Sequence, residues 1–546
     1  MGRRSKDENE RNSVTADLSQ PQHGTLDRNN RVIIVFALAL VLFLAALDVT
    51  IITTALPTIS NQLRASEDGF TWIGSSFVLA NATSSSLWGK LSDIWGRKIM
   101  LVLANVIFMI GSLICALSNT AGLLISGRAI QGVGSGGIVV LVNTCIGDLF
   151  SVRDRAQYFG ILGMVWALAS AIGPIIGGAF TEKLSWRWCF YINLPLDGVA
   201  LVALVFFFSI ETQRMSPIQG LKAIDWTGIL TITGGTLMFL LGLQLAGTNA
   251  PWSSTQVISL LVFGPSTIFL FLLNEWKLAR HPIVPIHIFQ DRSNLAAFAI
   301  TFVHGAVFIA GNYFMPLYFQ TVLSASPILS GVYLLPQVLA LSIISGITGL
   351  VIRKTGYYLG IIRIGMALMA LGYGLFIEMK PYESWSRLIT YQIIAGVGGG
   401  MNFEAPLIAL YAVVNNSDMA TTTSTFGFVR QLAEAVSIVI GGVIFQSGLR
   451  NRENSLISRL GSGEAKKLLS SPEMTVDDLN HFSIKQRALL SEVYTESLSK
   501  MWIFYTALAV FGIVLSLFVV GCPLDDPEPP ESMEMQHPDS SALRSE

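Results

Sequence analysis

Apolar residues arrive in long runs separated by short polar gaps. Fourteen runs can be marked, near 33–57, 71–89, 99–118, 121–147, 157–180, 188–210, 226–246, 257–276, 294–319, 327–352, 358–378, 387–413, 425–448 and 499–521. A helix needs about 20 apolar residues to cross the hydrocarbon core of a bilayer. Each run therefore predicts a transmembrane helix, and the chain reads as an all-α polytopic membrane protein. Basic residues in the short loops set the orientation. With the amino terminus inside, the inner loops carry Lys90, Arg97, Lys98, Arg153, Arg155, Arg214, Lys222, Lys277, Arg280, Arg292, Arg353 and Lys354. The outer short loops carry Arg64, Lys183, Arg187, Lys380 and Arg387. Twelve against five places both termini in the cytoplasm. The connection 449–498 then lies outside, and its amphipathic LISRL and SIKQRALLSEVY stretches predict short helices on the membrane surface. No N-x-Ser/Thr sequon falls in an outer loop, since Asn415-Asn416-Ser417 is inside, so N-glycosylation is not expected.

The two halves echo each other. Gly89-Lys-Leu-Ser-Asp-Ile-Trp-Gly96 follows the second run and Gly349-Leu-Val-Ile-Arg-Lys-Thr-Gly356 the tenth, 260 residues later. Gly132-Val-Gly-Ser-Gly-Gly137 in the fourth run resembles Gly396-Val-Gly-Gly-Gly400 in the twelfth, 264 residues later. Two matches at nearly one offset predict a duplicated six-helix block, an architecture that places a transport site between the repeats near the midplane. Glycine-rich helix faces also serve as plain packing surfaces. The expected organisation is a disordered cytoplasmic tail (1–32), a six-helix bundle (33–210), two linker helices (226–276), a second bundle (294–521) holding the long outer loop, and an acidic cytoplasmic tail (522–546).

Composition narrows the function. The chain is 52% hydrophobic and 13% charged, against roughly 25% charged in soluble domains. A net charge of −1 supplies no field to attract nucleic acid. The first thirty residues mix charges without an apolar core, so they read as a tail and not a cleaved signal peptide. No G-x-x-x-x-G-K-[ST] loop occurs, which argues against a nucleotide-driven pump. The six histidines are scattered, so no metal site, cofactor or intramembrane enzyme is expected. Cys115, Cys145, Cys189 and Cys522 lack metal-like spacing and read as packed thiols.

What remains is a set of polar groups inside apolar runs. Asp48 is a carboxylate in the first run, where burial costs roughly 2.5–3.5 kcal/mol on insertion scales. It faces a protein interior or water-filled path, or else it is solvated at the outer interface. Arg128 lies among glycines in the fourth run, and Glu404 stands beside Pro406 in the twelfth. Arg430 and Glu434 sit four apart on one helix face, as an intrahelical ion pair or as functional groups. His304 either lines a cavity or is simply hydrogen-bonded in the core, the second being preferred. Asn81, Gln131, Asn312, Gln337 and Asn402 complete the polar candidates for a substrate cavity.

Four motifs make the chain resemble the major facilitator superfamily, in its fourteen-helix drug:H+ antiporter branch, and most of all fungal pumps that export toxins and other secondary metabolites. They are Gly89-Lys-Leu-Ser-Asp93-Ile-Trp-Gly96-Arg97-Lys98, Gly127-Arg128-Ala-Ile-Gln131-Gly132, Gly173-Pro174-Ile-Ile-Gly177-Gly178 and Leu47-Asp48-Val-Thr50 through Pro57. The stretch Trp186-Arg-Trp-Cys-Phe-Tyr-Ile-Asn193-Leu-Pro195 adds to the likeness. The resemblance implies two six-helix bundles of the major facilitator type with two inserted linker helices. It also implies that the first motif latches the halves, with Arg97 facing Asp148, and that Arg128 serves proton transfer beside an acid. It implies that Gly173, Pro174, Gly177 and Gly178 mark an antiporter, and that Asp48, Glu404 and Glu434 are candidate proton carriers. The expected activity is proton-coupled efflux of an amphipathic small molecule by a monomer in the plasma or vacuolar membrane. The alternative is a proton-coupled importer of a siderophore or nutrient.

Overall fold

The computed structural model describes residues 28–65, 67–208, 225–248, 251–277, 284, 286–414, 418–470, 482–522 and 524. The two expected tails therefore lie largely outside the described residues, as do Arg214, Lys222, Arg280 and Asn415-Asn416-Ser417. Among the described residues every regular element is helical. The long helices are α1 (Arg28–Leu63), α2 (Glu67–Trp95), α3 (Arg97–Leu117), α4 (Ala121–Leu149) and α5 (Val152–Lys183). Next come α6 (Trp188–Tyr191, continuing as Asn193–Phe207), α7 (Trp226–Thr248), α8 (Thr255–Lys277), α9 (Arg292–Thr321) and α10 (Pro327–Thr355). The series ends with α11 (Leu359–Phe376), α12 (Trp385–Asn402, then Ala405–Tyr411), α13 (Met419–Arg450) and α14 (Ile484–Ser516). Side-chain caps start several of them: Thr120 for α4, Ser151 for α5, Asp291 for α9 and Ser326 for α10.

Thirteen of these helices are long and apolar enough to cross a membrane, by length and composition. The remaining one is α2, whose 29 residues carry Ser76, Asn81, Thr83, Ser84 and Ser85, all buried. Its polar face is turned to α4: Asn81 Nδ2 donates to Ser135 Oγ at 3.3 Å and Trp88 Nε1 to Val133 O at 3.0 Å. Its hydropathy is low because of these residues, which are buried in protein and hidden from lipid.

The duplication is written into the helix contacts. A Cβ built on Gly132 would lie 2.4 Å from Phe77 O on α2, and one on Gly396 would lie 2.2 Å from Gln337 O on α10. A Cβ on Gly134 would lie 2.5 Å from Phe108 N on α3, and one on Gly398 would lie 2.3 Å from Met369 N on α11. Small residues let these backbones touch, and each contact recurs 260 to 264 residues later, the offset of the sequence repeat. The helices before and after α7 and α8 thus form two matching six-helix bundles. Helices α7 and α8 pair with each other, and α7 rests on α2 and α13, with Leu240 packed by Leu79, Ala82, Leu432 and Ala435.

The bundles meet along two seams, α5 with α10 and α2 with α13. The first seam is closed along its length. Gly349 lies against Ala156 O and Gly160 near one end, Ser342 Oγ donates to Met164 O at 2.7 Å, and Gly178 lies against Ile328 near the other.

One expectation is corrected. The stretch SIKQRALLSEVY is not a surface helix but the first turns of α14, which begins at a Ser483–Gln486 capping box. Leu489, Leu490, Val493 and Tyr494 are buried there, and Tyr494 packs on Phe445 of α13 with ring centroids 5.5 Å apart. Its amphipathicity records a face turned to α13 and not to lipid. LISRL does form a short helix, Glu453–Leu460.

Candidate functional site

Two buried acid–base clusters flank the seam between the bundles. In the first bundle, Arg128 on α4 forms an ion pair with Asp48 on α1. Arg128 Nη1 also donates to Gln131 Oε1 at 2.8 Å, and Gln131 Nε2 donates to Ser112 Oγ on α3 at 2.8 Å. Asn193 on α6 closes the ring, its Nδ2 donating to Ser112 Oγ at 3.3 Å and to Asp48 Oδ1 at 3.0 Å. None of the five side chains is more than 1% exposed. Arg128 is further held by Ile73 O at 3.3 Å from Nε and by the Phe77 ring, 4.2 Å from the guanidinium carbon. Glycines build the site: Gly127 meets Cys115 and Gly132 meets the α2 backbone, so α4 sits close enough for Arg128 to span to α1. Asp48 is thus inside protein and not solvated at an interface. In so dry a setting each charge depends on the other, because removing one leaves a buried charge uncompensated.

In the second bundle α12 breaks at Phe403 and Glu404, with Pro406 in the first turn of the segment that follows. Irregular backbone at membrane depth is tolerated where protein or a cavity satisfies it. Here Arg430 of α13 donates from Nη2 to the freed Phe403 carbonyl and pairs with Glu404 Oε1 at 3.3 Å. Its guanidinium lies between the Phe403 and Phe426 rings, 4.6 Å from each centroid. The ion pair therefore reaches a neighbouring helix, and none forms with Glu434, which is half-buried one turn further along α13. His304 Nε2 donates to Gly399 O at 3.0 Å, and its ring stacks on Phe308. Glu404 Oε2, Arg430 Nε and His304 Nδ1 are buried without hydrogen-bond partners.

Between the clusters, Ala167 and Ser170 of α5, Phe308 and Asn312 of α9, and Gln337, Val338 and Leu341 of α10 line a closed gap that leaves no room for a water molecule. Of the polar cavity candidates, Asn312 and Gln337 line this gap. Asn81, Gln131 and Asn402 lie within one bundle, Asn402 Nδ2 donating to Gly398 O of its own helix at 3.3 Å. The glycine–proline motif of α5 divides between two faces. Gly173 and Gly177 meet Thr50 and Ile51 of α1, whereas Pro174 and Gly178 meet Gly331 and Ile328 of α10 across the seam.

At the end of the bundle where α2 meets α3, Gly96 has φ 94, the left-handed region that glycine tolerates. The turn points Arg97 at two carboxylates: Nε donates to Asp148 Oδ2 at 2.8 Å and Nη1 to Asp93 Oδ1 at 2.5 Å. Lys98 Nζ donates to Val205 O at 2.7 Å. These contacts stay inside the first bundle. Contacts that cross between the bundles at this end include Arg155 Nη1 to Met419 Sδ at 3.0 Å and Arg353, which donates to Asp154 Oδ1 at 2.7 Å and to Gln157 Oε1 at 2.5 Å. Arg153 answers by donating to Arg353 O at 2.8 Å and Lys354 O at 3.0 Å. Arg353 stands 260 residues after Asp93, so the repeat puts a base where the first bundle has an acid.

Ser112, Asn193 and the Phe403 backbone are members of these clusters that the sequence did not single out. Asn193 was visible only as part of a tryptophan-rich stretch.

A profile of the Major Facilitator Superfamily matches residues 38–438. The chain is 50% identical over 487 residues to Efflux pump dotC of Dothistroma septosporum, covering 89% of this chain and 84% of that protein. It is 45% identical to MFS-type transporter ppz2 of Metarhizium majus (89% and 84% covered), and 33% identical to Efflux pump FUS6 of Gibberella moniliformis (97% and 95% covered). Among solved structures, the human organic anion transporter MFSD10 (TETRAN) superposes with a TM-score of 0.57 at 15% identity, covering 91% of this chain and 100% of that one. A bacterial homolog of the human lysosomal transporter Spinster does so with a TM-score of 0.54 at 17% identity, covering 92% and 100%. The duplicated bundles, the shared fold and these relatives agree that the chain is a multi-span membrane transporter and not an enzyme, and it belongs to the major facilitator superfamily.

Proposed function

We propose that this protein exports an amphipathic small molecule, a toxin or other secondary metabolite, in exchange for protons. The observation that carries the reading is the fully buried Asp48–Arg128 pair, a membrane-embedded acid that meets a base of α4 and the Asn193 amide of α6. The printed names of dotC and FUS6 as efflux pumps support the direction of transport. Asp48, Arg128, Glu404 and Glu434 form the proton-coupling set. Asn312 and Gln337, with His304 and Arg430 behind Phe308 and Phe403, form the substrate wall when the halves part. An apolar, aromatic wall with few polar anchors suits a greasy organic molecule. The bundles 33–210 and 294–521 rock about the seam as a monomer in the plasma membrane, both termini in the cytoplasm. Deleting the gene should raise intracellular metabolite and sensitise the cell to it, and a protonophore should mimic the deletion. A deletion strain starved for iron chelates or a nutrient, with toxin tolerance intact, would replace export by import.

The Asp93–Arg97–Asp148 cluster sets the rate of conformational exchange. A hydrogen bond to a charged group is worth about 1.5–3 kcal/mol. Arg97→Gln should accordingly slow export of every substrate by a similar factor, about tenfold or more. A changed substrate spectrum at normal turnover, measured across a panel of compounds, would contradict this.

A further inference from the structure

Asp197 lies on α6 one turn beyond Asn193, at 0% exposure, and neither of its carboxyl oxygens has a hydrogen-bond partner. Its helix packs on α1 and α3. Among the charged side chains described on those helices, each is engaged or remote. Asp48 is held by Arg128 and Asn193; Arg97 is held by Asp93 and Asp148; Lys98 reaches Val205 O, two turns further along α6; Arg31 sits at the exposed start of α1. The thiols of Cys115 and Cys189 and the Tyr191 hydroxyl are the other titratable groups there. A carboxylate only accepts hydrogen bonds, whereas a carboxylic acid also has one to donate. An ionised group with no donor in a dry interior is strongly disfavoured. One turn away on the same helix, Asn193 Oδ1 is also buried without a donor, its Nδ2 being turned to Asp48 and Ser112. Residues four apart share a helix face, so the acid form of Asp197 is the group that fits.

We propose that Asp197 is a proton-carrying site of this transporter, coupled through Asn193 to the Asp48–Arg128 pair. The inference rests on the proton-coupled reading above. In the closed conformation Asp197 holds its proton, and Asn193 is free to serve Asp48. When water reaches α6 in another state of the cycle, the Asp197 O–H bond breaks, the proton passes to water, and the electron pair stays on the carboxylate. That carboxylate needs a donor, and the amide of Asn193 is the one within a turn. Taking it withdraws a hydrogen bond from Asp48 and loosens the ring around Arg128. Reprotonation from water on the other side restores the ring.

The test is infrared difference spectroscopy on the full chain in liposomes, with no substrate added. The wild type should show a protonated-carboxyl band at neutral pH that is lost on alkaline titration. Asp197→Asn should lose it, Asp48→Asn should keep it, and Asn193→Ala should shift its frequency. If the Asn variant fails to fold, Asp197→Glu should keep a band at a shifted frequency. A wild type without the band, or a band of full intensity in Asp197→Asn, would overturn the assignment. The coupling reading is tested apart from it: a one-unit pH gradient drives an export ratio of about tenfold per proton, read from cellular metabolite. If the wild type shows no such dependence, proton coupling fails. If it does and Asp197→Asn retains the full ratio, only the Asp197 proposal fails.

Discussion

Arg128→Met should lower the unfolding temperature of the protein sharply and stop export, and adding Asp48→Asn to it should restore the stability without restoring export. Both side chains are buried to within 1% of complete. Breaking a buried pair by removing one partner costs about 3–5 kcal/mol, because the remaining charge is left without compensation, whereas replacing both with neutral groups is often nearly neutral. The cycle is informative because the ring has further members: Asn193 still donates to an amide oxygen at position 48, and Gln131 and Asn193 still bond Ser112. Stability measured by thermal unfolding in detergent, and export measured in cells, should separate. A double variant as unstable as either single would mean that the pair itself is not what holds α1 to α4. A double variant that exports normally would remove the pair from the transport cycle.

The second large effect concerns the seam. Gly163→Cys with Ser345→Cys should form a disulfide between α5 and α10 and abolish export until it is reduced. A Cβ at Gly163 would lie 3.3 Å from Ser345 Cβ, close to the roughly 3.8 Å typical of disulfides. Bundles that rock apart must open this contact, and a covalent bond across it forbids that. The native thiols give little background, since Cys115, Cys145 and Cys189 are buried and only Cys522 is partly exposed. Recovery on adding reductant distinguishes a lock from damage to the fold. Undiminished export by the oxidised double variant would show that transport proceeds without separation at this seam.

Helix number, all-α class, the duplication and the presence of charge inside the membrane were legible in the chain. Each is a local property: a run length, a period, a glycine spacing, a carboxylate among apolar neighbours. Arg97 facing Asp148 was also foreseeable, as what the resemblance of the Gly89–Lys98 motif implies. Asp197 carried the same signal as Asp48, an acid in an apolar run, and its environment alone makes it stand out. What the tertiary structure decided is pairing. Asp48 finds Arg128 across 80 residues, and Arg430 chooses Glu404 on α12 over Glu434 on its own helix. The amphipathic stretch that opens α14 turns to α13 instead of to lipid. Hydropathy and periodicity say which face of a helix is polar or apolar. They do not say which neighbour that face meets, since this depends on where glycines such as Gly127 and Gly132 let whole helices approach to contact.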